Sequence, residues 1–482
     1  MTALILAPVG QGLGLQVLYW TLVACFAHLL IVNAMFLGLL AVASVENFTR
    51  RREHRAEDYG SILGSRFTIP VSVICPVYNE ESIVGHVVRS LLNAEYPEFE
   101  VIVVNDGSAD GTLDLLKRDF DLERREVFFR RALDTEAVRG VYRSRRDPRL
   151  VVVDKENGGK ADALNCGLNL ARYRYVCTVD GDTVFHPRAL LRAMRVALRD
   201  PGAVVGVTSR VSISHEPENE ETEADGERIA DRGLLSSFQH LDYLRAFVNN
   251  RVAWSRLGFM LCSVGAFSLW RRDVVMELGG FSRGFTCEDI EMTFRVHEHH
   301  LRLGRPYKVV SLPDSVGHTE GPDRLRQLMS QRARWQRVIL ETVWHYRRMF
   351  LNPRYRRVGA LGMPFYLLTE VLAPVFELLS VLTVPAAVLL GVFGLREFLL
   401  FLGFVAFGNA VFTTAAVMLQ DLGAREYRWR DLLRLALLGP VELFLYRPPL
   451  SLARLMGSWG FLRGDKTWHK FERNTRAVAD PA

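Results

Sequence analysis

Residues 71–80 read VSVICPVYNE and residues 101–108 read VIVVNDGS. Each is a short β-rich apolar run that breaks off into polar residues. The same pattern returns at Leu150–Asp154 and at Tyr175–Val179, which runs directly into Asp180-Gly181-Asp182. Segments of helical periodicity lie between them: Ser82–Leu92, Thr112–Phe120 and Lys160–Ala171. Strands separated by helices predict an α/β domain on a mostly parallel sheet, whose ligands bind outside the carboxyl ends of the strands. The groups placed there are Tyr78-Asn79-Glu80, Asp106-Gly107-Ser108 and Asp180-Gly181-Asp182. They are the first candidates for chemistry.

Outward from this domain the chain turns apolar. Its 482 residues allow about three domains at roughly 150 residues each. With 49% hydrophobic residues, 24% charged and a mean hydropathy of +0.08, the chain is not disordered, and it is too apolar for an ordinary soluble enzyme. No charged side chain occurs from Met1 to Val45, and residues 15–45 exceed the ~20 apolar residues a spanning helix needs. A cleaved signal peptide is the rival reading; the stretch is too long for one and lacks a basic start. Arg50, Arg51, Arg52 and Arg55 follow and mark the cytoplasmic end. Two more apolar stretches, 359–394 and 398–420, are separated by Leu395, Arg396 and Glu397 and predict a tight transmembrane hairpin. Arginines flank both of its feet (347, 348, 354, 356 and 357 before; 425, 428 and 430 after), which puts the feet on the side of Arg50. Residues 432–462 are apolar but broken by Glu442, Arg447, Pro448, Pro449 and Arg454, and are read as helices lying in the interface.

The expected organisation is an N-terminal transmembrane helix (1–49), a cytosolic α/β domain (50–320), amphipathic interface helices (321–358), a transmembrane hairpin (359–420), and interfacial helices with a cytosolic tail (421–482). A multi-pass protein of a bacterial plasma membrane fits this layout. The net charge of +6 is read as juxtamembrane positive charge, since no basic stripe with aromatic interleaving suggests nucleic acid. Six cysteines without a CxxC pair are read as free thiols of a reducing compartment. Within the second span, Glu370 and Glu377 share one helix face; they either line a polar path, or Glu370 sits near the headgroups and Glu377 pairs locally.

Asp180 and Asp182, one residue apart at a strand end, can hold a hard divalent cation, which in turn holds a diphosphate; taken alone, such a tripeptide is commonly a turn. Asn157-Gly158-Gly159-Lys160 opens a helix, directing backbone N–H groups and an ammonium at one spot, and it is no Walker A motif because Ala161 follows. Asp106 has a capping role as its alternative. Thr286-Cys287-Glu288-Asp289 starts a helix: its acids either answer the helix dipole, or Asp289 accepts a proton from a hydroxyl nucleophile. Gln331, Arg334 and Trp335 fall on one helical face and offer an amide, a guanidinium for phosphate and an aromatic plane for a sugar ring; an amphipathic helix with Trp335 at headgroup level is the alternative. His297-Glu298-His299-His300 has no metal spacing and is read as surface. The acidic stretch Glu216–Asp231 is read as a solvated loop, and the arginines between Arg124 and Arg149 as facing solvent or headgroups.

In series, Pro76–Glu80, Asp106–Ser108, Gly159–Asn165, Asp180–Asp182, Gly265-Ala266-Phe267, Glu288-Asp289 and Gln331-x-x-Arg334-Trp335 resemble the membrane-integrated family 2 glycosyltransferases, the cellulose, chitin, hyaluronan and poly-N-acetylglucosamine synthases. The likeness runs over about residues 70–345. It implies a GT-A fold with a Rossmann-like, mostly parallel sheet, and an inverting transfer from a UDP-sugar, UDP-GlcNAc or UDP-glucose, to a growing β-linked polysaccharide, with the polymer threading the membrane helices as a further expectation. By resemblance Tyr78, Glu80 and Asp106 hold uridine, Lys160 meets the diphosphate, and Asp180 and Asp182 carry Mg2+ or Mn2+. Asp289, beside Glu288, is the general base; Gly265, Ala266, Phe267 and Trp335 meet the acceptor, while Gln331 and Arg334 close over the nucleotide. Val264 and Cys287 depart from the family's usual loop and acidic motif, Ser-Gly-Ala-Phe and Thr-Glu-Asp. Single-sugar transfer to a lipid-linked or glycolipid acceptor, and a non-catalytic nucleotide-sugar sensor, are the alternatives. Accessory subunits and oligomeric state stay open.

Overall fold

In the computed structural model, residues 12–56, 63–65, 68–213, 233–319, 321–392, 394–424, 427 and 429–465 are described. The acidic stretch Glu216–Asp231, Arg425 and Arg428 lie outside them.

The sheet starts from the expected runs. Strands β1 (Val71–Val77), β2 (Phe99–Asp106), β5 (Leu150–Lys155) and β6 (Tyr175–Val179) are buried along their whole length, so they read as continuous apolar runs and not as alternations. They pair in parallel in the order β5-β2-β1-β6, with Val71 opposite both Phe99 and Tyr175. Helices α2 (Val84–Leu92), α3 (Thr112–Asp119) and α4 (Lys160–Leu170) connect them. Successive side chains leave opposite faces: Ile74, Ile102 and Val153 pack with Leu164 of α4, whereas Val73, Val103 and Val152 pack with Val87 and Val88 of α2.

The whole sheet is mixed and broader than these four strands. Among the described residues its ten strands run β3-β4-β5-β2-β1-β6-β9-β8-β10-β7. The additions are β3 (Leu122–Arg125), β4 (Val138–Ser144), β7 (Thr183–Phe185), β8 (Val204–Ile213), β9 (Phe267–Arg271) and β10 (Lys308–Thr319). Apart from the parallel β8–β10 pair, they join antiparallel. Parallel pairing is therefore confined to β8–β10 and to the segment in which helices alternate with strands. Because β2 and β6 lie on opposite sides of β1, the chain reverses direction of winding there and opens a crevice at the carboxyl ends.

Among the described residues, three helices are long and apolar enough to cross a membrane, within Leu13–Arg50, Val358–Leu389 and Leu395–Asp421. The first belongs to α1 (Leu13–Ala56). It shares a core with the α/β domain: Leu39 and Ala43 join Val252, Ala253, Trp254 and Phe365 in the cluster that also holds Ile74 and Val153. Helix α5 (Ala189–Arg199) covers the other face. Helix α6 (Leu234–Leu244) runs through a π-helical stretch, Arg245–Arg251, into α7 (Val252–Leu257), and α8 (Arg272–Glu277) follows β9. Helix α9 (Glu288–Leu303) and α10 (Leu325–His345) come next, then α11 (Ala373–Leu389), α12 (Leu395–Ala424), α13 (Trp429–Leu445) and α14 (Arg447–Leu462). α14 seats on α10 backbone to backbone, for a Cβ on Gly457 would overlap the Ala333 carbonyl. α13 is held by Glu442, buried and ion-paired with Arg245 at 2.6 Å and Arg447 at 2.9 Å. Glu370 and Glu377 both face α14, the first pairing with Arg454 at 2.9 Å and the second accepting a short hydrogen bond from Ser451.

The histidine cluster corrects the surface reading. His297 and His300 are buried; only the outward pair, Glu298 and His299, is partly exposed. His297 donates from Nε2 to the Met260 carbonyl at 2.6 Å, and its Nδ1 meets the Tyr307 hydroxyl at 2.6 Å, which can donate to the neutral ring. Burial accordingly pulls its pKa from the usual 6.5 to about 4. A depressed pKa of this kind gives stability that is complete above pH 6.5 and lost as pH falls toward 4, about 3 kcal/mol in all. In detergent, His297→Gln is therefore expected to lose less of its unfolding midpoint than the parent between pH 7 and pH 4.5. Parallel pH curves would refute the assignment.

Candidate active site

Asp106, the last residue of β2, is buried and turns its carboxylate on the 157–160 loop. Oδ1 accepts from Gly158 N at 3.0 Å and Lys155 Nζ at 2.7 Å, Oδ2 accepts from Gly159 N at 2.8 Å, and its carbonyl accepts from Asn157 at 2.8 Å. Lys155 is itself buried between Asp106 and Asp162, the second at 2.6 Å, and Arg283 reaches Asp162 at 3.1 Å. Burial would pull the Lys155 ammonium down; the two carboxylates outweigh it and hold the group above its usual value. This Lys155–Asp162 pair is absent from the expected site, because a strand-end lysine and a first-turn aspartate carry no sequence signal until the fold joins them. It fixes the loop that presents Lys160.

Lys160, the first residue of α4, bridges Asp180 Oδ1 at 2.7 Å and Glu288 Oε1 at 2.8 Å. Burial works against its charge, but Asp180, Glu288 and Asp289 raise its pKa well above the usual lysine range. Burial lifts Glu288 above the ordinary carboxylate range, against the pull of Lys160 and with the push of Asp289. Gly265 closes the group: a Cβ there would stand 2.8 Å from Lys160 Nζ and 3.0 Å from Asp289 Oδ2. The loop before it is tied to α9, since Ser263 donates to the Asp289 carbonyl at 2.8 Å. Strand end, helix start and loop thus meet within a few ångströms, although they come from residues 160, 180, 265 and 288–289.

One cavity of about 2480 Å³ collects these groups with Tyr78, Glu80, Asp106, Asp182, Ala266, Gln331, Arg334 and Trp335. It continues between the membrane-crossing candidates, where Phe26, Val381 and Phe401 line it. Trp335 is about one-third exposed, with the Arg332 guanidinium stacked 4.5 Å from its ring centre and ion-paired to Asp242 at 2.8 Å. α10 is braced against α9 by Glu341, which accepts from Thr286 N at 3.1 Å, and by Tyr346, which donates to Glu291 at 2.7 Å. Phe267 departs from its expected acceptor role. It is buried in β9, packs against Phe185 at 6.0 Å, and does not line the cavity, because the strand pleat turns it into the core.

Among the described residues no group of three or more His, Cys, Asp or Glu is poised to hold a metal. Asp180 and Asp182 form an oxygen-only pair, which fits a cation that takes one or two carboxylates and completes its shell with substrate phosphate.

Over 281 residues the chain is 25% identical to a poly-beta-1,6-N-acetyl-D-glucosamine synthase of Staphylococcus epidermidis, covering 57% of this chain and 56% of that one. A synthase of the same description from Staphylococcus aureus is 24% identical over 269 residues, 55% and 53% of the two chains. The chain thus spans little more than half the length of these curated relatives. A mannosyltransferase from Pyrobaculum calidifontis, solved with GDP-Man and Mn2+, superposes with a TM-score of 0.47 at 17% identity, over 89% of this chain and 99% of that one. The profile for glycosyl transferase family 2 matches residues 72–249, and that for glycosyl transferase family group 2 matches residues 175–418, half of the chain. Since the second of these profiles covers half of the chain, the chain belongs to the family 2 glycosyltransferases.

Proposed function

We propose that the protein transfers N-acetylglucosamine from UDP-GlcNAc to the end of a growing β-linked polysaccharide, inverting the anomeric carbon. One observation carries this reading: Lys160, Asp180, Asp182, Asp289 and Trp335 line a single cavity that continues between the membrane-crossing candidates. The α/β domain then lies on the cytosolic side, where nucleotide sugars are made, and the cavity gives the product a path toward the bilayer.

In this reading the acceptor hydroxyl sits beside Gly265 and passes its proton to Asp289 Oδ2. Its oxygen bonds to the anomeric carbon as the bond to UDP breaks, and UDP departs with the electron pair. One displacement with Asp289 as the carboxylate base inverts the anomeric carbon. Lys160 exchanges its carboxylate partners for the diphosphate, and Arg334 adds positive charge where negative charge grows. Asp180 and Asp182 would hold Mg2+ or Mn2+, whose charge offsets that of the leaving diphosphate. Tyr78, Glu80 and Gln331 border the nucleotide, while Asp106 acts through the loop it anchors. Trp335 offers its face to the acceptor sugar.

Purified protein supplied with labelled UDP-GlcNAc or UDP-glucose, with UDP release and product linkage measured, tests the reading. Release from UDP-GlcNAc with a polymeric product is expected, abolished by EDTA and restored by Mg2+ or Mn2+. A lipid product carrying one sugar would eliminate the synthase reading, and full activity of Asp182→Ala in EDTA would remove the metal.

A further inference from the structure

Cys287 stands at the position before α9, where Ser, Thr, Asp or Asn commonly caps the first backbone N–H groups. Its side chain makes no such cap. Instead the thiol donates to Asp289 Oδ1 at 2.7 Å, and the same oxygen accepts from Ile290 N at 2.6 Å. Oδ1 is therefore taken up by two donors, while Oδ2 is the oxygen that faces Gly265. We propose that Cys287 is a positioning residue: its S–H fixes the Asp289 carboxylate so that Oδ2 alone is presented to the acceptor hydroxyl.

The surroundings keep the thiol in the form this requires. Burial, then Asp289 and Glu288, raise its pKa well above the usual cysteine range, against Lys160, so that it stays a donor. The charged and titratable groups around Asp289 are Glu288 on its own helix, Lys160 and its partner Asp180, Cys262 with Arg251 behind it, and Arg334 across the cavity near the thiol. Among the described residues, Cys287 is the side chain that donates a hydrogen bond to the Asp289 carboxylate. A donor to a carboxylate favours its charged form, so removing the donor moves the acid limb of the pH profile upward.

The proposal rests on Asp289 being the proton acceptor. Full-length Cys287→Ala and Cys287→Ser, purified in detergent, would be assayed with UDP-GlcNAc from pH 5.5 to 9, with UDP binding measured on the same preparations. In Cys287→Ala, kcat is expected to fall about tenfold, KM for UDP-GlcNAc to stay within about twofold, and the acid limb to rise by roughly half to one pH unit. Cys287→Ser, which restores a donor, is expected to recover both kcat and limb. Parental kcat and pH profile in Cys287→Ala would overturn the proposal. So would equal losses in both variants with UDP binding intact, since that pattern belongs to packing. Turnover retained in Asp289→Asn would overturn the reading of Asp289, and this proposal with it; it is told apart because it concerns a variant that leaves Cys287 in place.

Discussion

Asp289→Asn is expected to lower sugar transfer by about 10²–10⁴-fold while UDP affinity stays within a few fold, the range that removal of a general base produces. Asparagine keeps the size of the side chain and an oxygen that can accept from Ile290 N, so the start of α9 should persist. What disappears is the basic oxygen facing Gly265. The hydroxyl must then lose its proton to water inside a cavity whose nearest cation, Lys160, is already committed to Asp180 and Glu288. Single-turnover assays with UDP-GlcNAc, alongside calorimetric titration with UDP, separate chemistry from binding. Turnover within tenfold of the parent would refute the base assignment.

The second large effect belongs to Lys160→Met, for which kcat is expected to drop about 10²–10³-fold and UDP affinity to weaken as well. Methionine preserves the length of the stem but removes the charge that bridges Asp180 and Glu288. The carboxylates of Asp180, Glu288 and Asp289 then face one another without it, and the site resists a diphosphate that brings still more negative charge. Lys160→Arg is expected to recover little, since the wider guanidinium must fit between Gly265, Asp180 and Glu288, where the lysine ammonium already stands 2.8 Å from a Cβ built on Gly265. Unchanged UDP affinity in Lys160→Met would place the diphosphate elsewhere.

The central strands were legible because burial on both faces writes them as unbroken apolar runs, and the helices between them kept their own period. β3 was not: Leu122–Arg125 is an edge strand with two exposed arginines, and its pairing with β4 is a tertiary choice. β10 hides for another reason. Lys308–Thr319 includes Pro313 and Gly317, and its register against β8 shifts repeatedly. Within the site, Lys160, Asp180 and Asp289 could be picked out because each begins or follows an element, where polar groups converge. Lys155 and Asp162 could not, since their importance lies in meeting each other. His297 fell on the apolar stripe of its helix, yet three histidines and a glutamate in four residues read as surface. Only the hydrogen bonds to Met260 and Tyr307 show why the ring is inside.

The contact between Gly457 and Ala333 bears on the order in which the protein is made. The sheet is fully synthesised once Thr319 has left the ribosome, and α10 with Trp335 follows soon after. That helix finds its backbone neighbour only when residues 447–462 emerge, after α11, α12 and α13 have been synthesised. A nascent chain therefore carries its acidic and basic groups for more than a hundred residues of elongation with one wall of the chamber still missing, and translation of α14 completes that wall.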